Sequence, residues 1–381
     1  MSELKVWYEV EISGKKLQPP PYAVQFIRSM GDHTVAEVTA VYPRQIPMRM
    51  RPPIPNPSAP VKVTWGTKPN AMREWYGYVH HTRPGYSEEL GVETRSYVLV
   101  GTGHIMEKQY TKDWRKITDS GIAQQLAEKH GLSLVAHRTK RVYDYLLQPG
   151  ISDLDWLKVR GKECGRRVHV ENGVLYFVEP ASLAMARKQQ PILERMDKKR
   201  LAERVINVEP LFGTLVPTAG KQAKRALTGF DIDQNRLLNA KQVPSEPSPD
   251  FVARDTAIAK PSDLYQYVDA LGVEHEEWLH ATMTLSYDSN VDHLPGQLID
   301  LKGDAVNPKL HGTWMVTKSS HYLQSRLVTG LGDRRFDSEL QISRNAADTY
   351  QVRDRRVPAV NDACVRSGGK WISASRQVVL L

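Results

Sequence analysis

Cysteine is nearly missing from this sequence, with only Cys164 and Cys364 in 381 residues. That is too few for a disulfide-stapled scaffold or a thiolate zinc cluster. Cys164 falls on the apolar stripe of a predicted helix, so both are expected to be free buried thiols. Long apolar runs are missing too. No stretch approaches the roughly 18 apolar residues that a bilayer-spanning helix needs. The opening MSELKVWYEVEISG alternates as a strand and lacks the unbroken apolar core of a signal peptide, so a cytoplasmic protein is expected.

Catalytic signatures are equally scarce. His275 and His280 flank Glu276-Glu277-Trp278-Leu279, but five residues turn a helix by about 500°, leaving the rings about 140° apart and unable to share a zinc ion. His80 and His81, adjacent in a predicted strand, should point to opposite faces. Ser13-Gly14-Lys15-Lys16 matches Ser-x-x-Lys in a turn, without the partner motifs of a β-lactamase-like site. Gly101-Thr102-Gly103 lacks the third glycine of a dinucleotide loop and the Lys-Ser/Thr of a P-loop. Asp153 and Asp155 diverge on a helix and read as first-turn capping charges. No catalytic, cofactor-binding or metal-ligating residue is therefore nominated, and no cofactor and no enzymatic activity are expected.

What is present describes a globular chain long enough for two to four domains. Hydrophobic residues make up 40% and charged residues 25%, with a formal net charge of +9. The densest basic runs, 158–167 and 186–204, are helix-like and interleaved with acids, so they read as solvated faces, with an acidic protein partner as the next use. Residues 148–180 form the most legible unit. Ser152 is placed to cap a helix whose stripe is Ile151, Leu154, Leu157, Gly161 and Cys164, and Gly165 offers the left-handed stop. Gln148-Pro149-Gly150 should break whatever precedes it. Val168 and Val170 then alternate into a strand, Asn172-Gly173 suits a type I′ turn, and residues 174–178 return.

This helix-hairpin unit resembles the signature of the phage late control D family of baseplate or tail hub proteins, which itself resembles the hub part of type VI secretion spikes. It departs in carrying Lys158 and Arg160 where the pattern has a small residue. Other segments fit the resemblance. The strand pair 61–66 and 74–79, "V-x-V-x-W, turn, W-Y-G-Y-V", is similar to the central hairpin of a tube-like barrel. Later come Leu294-Pro295-Gly296-Gln297 leading into Leu298-Ile299-Asp300-Leu301, then Gly312-Thr313-Trp314-Met315-Val316 leading to His321, then Leu340-Gln341-Ile342-Ser343-Arg344, in the family's order.

The expected fold class is α+β, mainly β, with two tail-tube-like β-barrels and an inserted small α/β domain. The first barrel covers 1–103, with strands at 4–12, 35–42, 61–66, 74–79 and 95–100 and a Pro-rich surface loop at 43–60. The α/β domain covers 104–180, with a helical period from Asp113, a helix ended by Gly131, and strands at 132–136 and 143–147. Residues 181–261 combine a charged helix (181–208), a strand of the second barrel (225–231) and a Pro-rich linker (242–261). The second barrel, 262–345, opens on a helix capped by Ser262 and continues in strands at 280–287, 296–301, 312–322 and 336–344. The segment 346–381 loses periodicity, and its last apolar group, 378–381, either docks on a neighbour or frays.

The resemblance implies a structural role. A homotrimer would set six similar barrels around a channel, joining a six-fold tail tube or distal tail protein to a three-fold spike or tip protein. It would meet the tape-measure protein and pass DNA only in transit, at a virion tail tip (baseplate) assembled in the host cytoplasm. Most of the positive excess is then expected outside the channel. The alternatives are a tail-associated cell-wall hydrolase, which needs a convergent acidic pair or triad in a cleft, and a basic nucleic-acid-binding protein.

Overall fold

The computed structural model describes residues 7–43, 53–66, 72–87, 92–180, 182–183, 191–200, 204–210, 225–231, 236–242, 251–254, 279–286, 293–324, 335–344 and 362–381. The fold is α+β and mainly β. Its first sheet curls through antiparallel neighbours in the order Ala23–Ser29, Val35–Pro43, Val92–Gly101, Met72–Ser87, Pro60–Gly66, Trp7–Ile12. Period-two alternation turns Val38, Ala40 and Tyr42 from one strand and Val61, Val63 and Trp65 from another into a single core with Phe26, Trp75 and Tyr97. Ala23–Ser29 is the strand that periodicity does not reveal. Its inward set is Val24, Phe26 and Arg28, and the arginine, 1% exposed, breaks the apolar pattern.

The same strand pairs antiparallel with Gly312–Gln324, so the strands of the two expected barrels run as one sheet. Beyond it lie Arg335–Arg344, Leu279–Leu285 and Arg204–Pro210, with Leu298–Lys302 on the other flank. Their core gathers Met283, Ile299, Leu301, Trp314, Val316, Leu340 and Ile342. Arg344 closes it, stacking 4.2 Å over Trp314 and donating to the carbonyls of Leu310 and His311 at 2.6 and 2.7 Å.

Three expectations are corrected in this half. Of the charged helix expected over 181–208, residues 182–183 are helical and 184–190 lie outside the described residues, but the later part is replaced by strands Ile192–Arg195 and Arg204–Pro210. In the first of these Glu194 is buried against His293 while Leu193 is 55% exposed, an inverted polarity that mimics a helical period. Arg225–Asp231 is a strand, but it pairs with Arg236–Gln242 and Phe251–Arg254 in a separate three-stranded sheet, which also places a strand inside the expected linker. The helix expected at Ser262 lies outside the described residues.

In the α/β unit, helix α1 (Asp119–His130) begins at Thr118, whose hydroxyl accepts from Gly121 N, and ends at Gly131 with φ 69°. Helix α2 (Asp153–Glu163) is capped by Ser152, with Gly165 at φ 67° beyond its end. Asn172 and Gly173, both at positive φ, join Arg167–Glu171 to Val174–Val178, and Ser133–Ala136 lies parallel to the latter. Asp113 does not open a helical stretch. Gln109–Ile117 is a strand, and it pairs with Tyr143–Ser152 in a two-stranded ribbon. Nor does Pro149-Gly150 break that partner strand, which absorbs them as a bulge between Gln148 and Ile151.

The last residues are neither frayed nor turned toward a neighbour. Cys364–Ser367 and Lys370–Ser373 make a hairpin, and Val378–Leu380 adds in parallel to Ser133–Ala136 of the same chain. An open sheet edge with matching apolar alternation explains the docking.

Candidate functional site

The motifs weighed in the sequence are scattered by the fold. Ser13-Gly14 is a hairpin turn with both residues at positive φ. Thr102 starts a short 3-10 turn and accepts a hydrogen bond from Gly173 N at 3.0 Å. His275 lies outside the described residues and His280 is in the strand Leu279–Leu285. His80 and His81 depart from expectation: a bulge between Val79 and His81 cancels the alternation and brings their Nδ1 atoms to 2.6 Å. Among the described residues no three His, Cys, Asp or Glu side chains are grouped to hold a metal.

One serine–histidine contact escaped the sequence reading. Ser338 Oγ lies 3.1 Å from His321 Nδ1, while His321 Nε2 meets the His293 carbonyl at 2.8 Å. Serine and histidine are each 1% exposed. A carbonyl in place of an orienting carboxylate, and no access to solvent, make this pair a packing feature of the strands Gly312–Gln324 and Arg335–Arg344.

Asp153, read as a capping charge, proves to be the centre of a polar cluster. Its carboxylate accepts from Tyr110, Lys129, His130 and Gln148 at the mouth of α2. Burial alone would raise its pKa, but hydrogen bonds from His130, Tyr110 and Lys129 outweigh that and hold it well below the usual carboxylate range. A depressed folded pKa means that the stabilisation is present above the unfolded value of about 3.9 and is lost as pH falls through the folded one. Asp153→Asn is therefore expected to lower the melting temperature at neutral pH, by the equivalent of about 2 kcal/mol, and to flatten the acid limb of a plot of melting temperature against pH. Parallel acid limbs in wild type and variant would show that Asp153 is not the group that titrates.

Arg160, expected on a solvated face, is buried. Its Nε donates to Asp119 at 2.7 Å and Nη1 to Glu163 at 2.6 Å, with the guanidinium over the Tyr143 ring.

The densest convergence of elements is the joint between the first sheet and the α/β hairpin. Arg28 Nε donates to Glu171 at 3.1 Å with both side chains buried. His169 Nδ1 lies 3.0 Å from the Asp32 carbonyl, and Lys158 reaches the Asp32 carboxylate at 3.0 Å. That carboxylate is held well below its ordinary pKa, first by His33 and then by Lys158. Asn172 answers the strand Met72–Ser87 with both amide atoms, donating to Glu74 O and accepting from Tyr76 N. A cavity of about 180 Å³ opens beside Arg28 and Glu171, bounded also by Trp65, Tyr76 and Leu294. Trp371 of the C-terminal hairpin donates to Gly77 O at 2.9 Å and packs edge-on against Tyr76. The alternation Val168, Val170 revealed one face of the hairpin; the other, His169 and Glu171, is buried in this joint.

No protein-family model matches the sequence, and no curated protein matches it. Solved structures do. A tail protein from Neisseria meningitidis MC58 superposes with a TM-score of 0.62 at 11% identity, over 90% of this chain and 99% of that one. A 43 kDa tail protein of prophage MuSo2 from Shewanella oneidensis gives 0.63 at 10% identity, over 90% and 99%. The fold is that of phage tail proteins. The same tail-protein fold extends to an E. coli component of the type VI secretion system, described as similar to bacteriophage T4 tail proteins, with a TM-score of 0.51 at 11% identity over 94% of this chain and 79% of that one.

Proposed function

We propose that the protein is a structural tail hub. Three copies would form a ring whose tube-like halves, expected over 1–103 and 262–345, continue a six-fold tail tube on one side and receive a three-fold tip or spike protein on the other. The ring would meet the tape-measure protein in its lumen and let DNA pass, at the tip of a virion tail assembled in the host cytoplasm. The role is assembly and gating, without catalysis. The observation that carries this reading is the end-to-end match to whole tail proteins, 90% of this chain against 99% of each of two. The sheet that joins the two halves through Ala23–Ser29 and Gly312–Gln324 supports it, since a ring element must hold its two halves at a fixed angle.

Light scattering of the purified native protein tests the ring. The expected mass is three times 43.1 kDa. A mass of one chain, persisting across concentrations and after mixing with purified tube protein, would end the trimer reading.

A further inference from the structure

The positive charge of the chain is not spread evenly. Segments 108–117 and 138–147 hold seven Lys or Arg against two Asp, a surplus of five within a chain whose net charge is +9. The fold puts these segments together, because Gln109–Ile117 pairs with Tyr143–Ser152 and residues 138–142 lead into that second strand. The ribbon has two strands only, and its inner face, with Trp114 and Leu146, packs on the α/β core. Its outer face sets Tyr145, 55% exposed, opposite Arg115 and Leu147, 46% exposed, opposite Asp113, and Val142, just before the strand, is 59% exposed. Arg115 stands opposite Tyr145 in register, with its guanidinium 6.0 Å from the ring, and is also paired with Asp113. Lys116 is exposed and held at φ 48°, in the left-handed region that costs a side chain about 1 kcal/mol.

We propose that this ribbon is a docking surface for an acidic protein partner. An exposed aromatic and two exposed aliphatic side chains on a ribbon with a surplus of cations match the chemistry of a protein interface, in which apolar side chains anchor and charges steer. A nucleic-acid track is the poorer fit. Val142 and Leu147 offer nothing to a phosphate, and Asp113 and Asp144 lie on the same ribbon and repel one. The inference does not depend on the ring, since it concerns a face of the α/β unit in whatever assembly the chain enters.

The test uses the full chain and two fluorescent probes, a poly-glutamate peptide with a central Phe-Leu-Phe and a DNA duplex, read by anisotropy. The peptide is expected to bind in a salt-sensitive way, about tenfold more weakly to K116E/K140E and about tenfold more weakly to Y145S/L147S, while K15E/K16E on a distant hairpin leaves it unchanged. All four ribbon side chains are exposed, so melting temperatures should hold; K116A/K140A repeats the test if charge reversal impairs folding. The proposal is overturned if the ribbon variants bind like wild type, if K15E/K16E weakens binding equally, or if the duplex binds more tightly than the peptide and depends on the same residues.

Discussion

Glu171→Ala is expected to cost about 3–5 kcal/mol of folding stability, because it takes the carboxylate away from a buried guanidinium. Arg28 and Glu171 meet at 3.1 Å with side chains 1% and 6% exposed, one from the first sheet and one from the hairpin of the α/β unit. Arg28 is also packed over Phe26 and Trp65, at 4.6 and 5.0 Å, so it cannot swing out to water without opening the core. Removing both charges together is a different matter. Arg28→Met with Glu171→Leu keeps the volume and leaves no lone charge, and it should recover most of the loss. Urea denaturation of the two single variants and the double variant closes the cycle. A double variant as unstable as the worse single one would mean that the joint depends on shape and not on this pair. In the ring proposed above, a double variant that folds well should still assemble.

Much of the α/β unit was readable because its signals are local. Ser152 caps α2, Gly131 and Gly165 end helices, and Asn172-Gly173 turns the hairpin, each decided by the backbone needs of neighbouring residues. Strand alternation likewise located most strands around Trp65 and Trp314. What stayed hidden is polar and non-local. Arg28 and Glu194 occupy inward strand positions where an apolar residue is expected, and each is explained only by a partner far along the chain, Glu171 and His293. Arg160 looks like one more cation on a charged helix until Asp119 is set against it. A single bulge undoes the two-face argument for His80 and His81. The candidate site fared worse than the fold for the same reason. Residues 108–117 and 138–147 each carry a basic surplus, and only strand pairing brings the two together on one ribbon.

The C-terminal segment is where sequence periodicity fails and where a small change should have a large effect. Val379 and Leu381 pack against the cluster of Val135, Val174 and Tyr176 on one side of the sheet, and Leu380 joins the helix-side core on the other. Main-chain bonds from Leu134 N to Gln377 O and from Leu381 N to Ala136 O, 2.8 and 2.9 Å, close the edge, and Ser133 Oγ holds Ser373 at 2.6 Å. Trp371 ties the preceding hairpin to the first sheet through Gly77 O and the Tyr78 hydroxyl. Trp371→Ala is expected to cost about 2–3 kcal/mol, and ending the chain at Asn361 more than about 4 kcal/mol, since the edge of Ser133–Ala136 is then bare. Cys364 supplies a direct readout. Burial pushes its thiol up to about 12, and its sulfur fills the space where a side chain on Gly173 would stand, so it should resist alkylation while the hairpin is seated. In Trp371→Ala its labelling should accelerate at least tenfold while Cys164, buried in the α/β core, stays protected. Faster exchange of the Leu134 amide should accompany it. If both cysteines label together, the variant unfolds globally and the segment is no separate strap; if neither does, Trp371 does not hold it down.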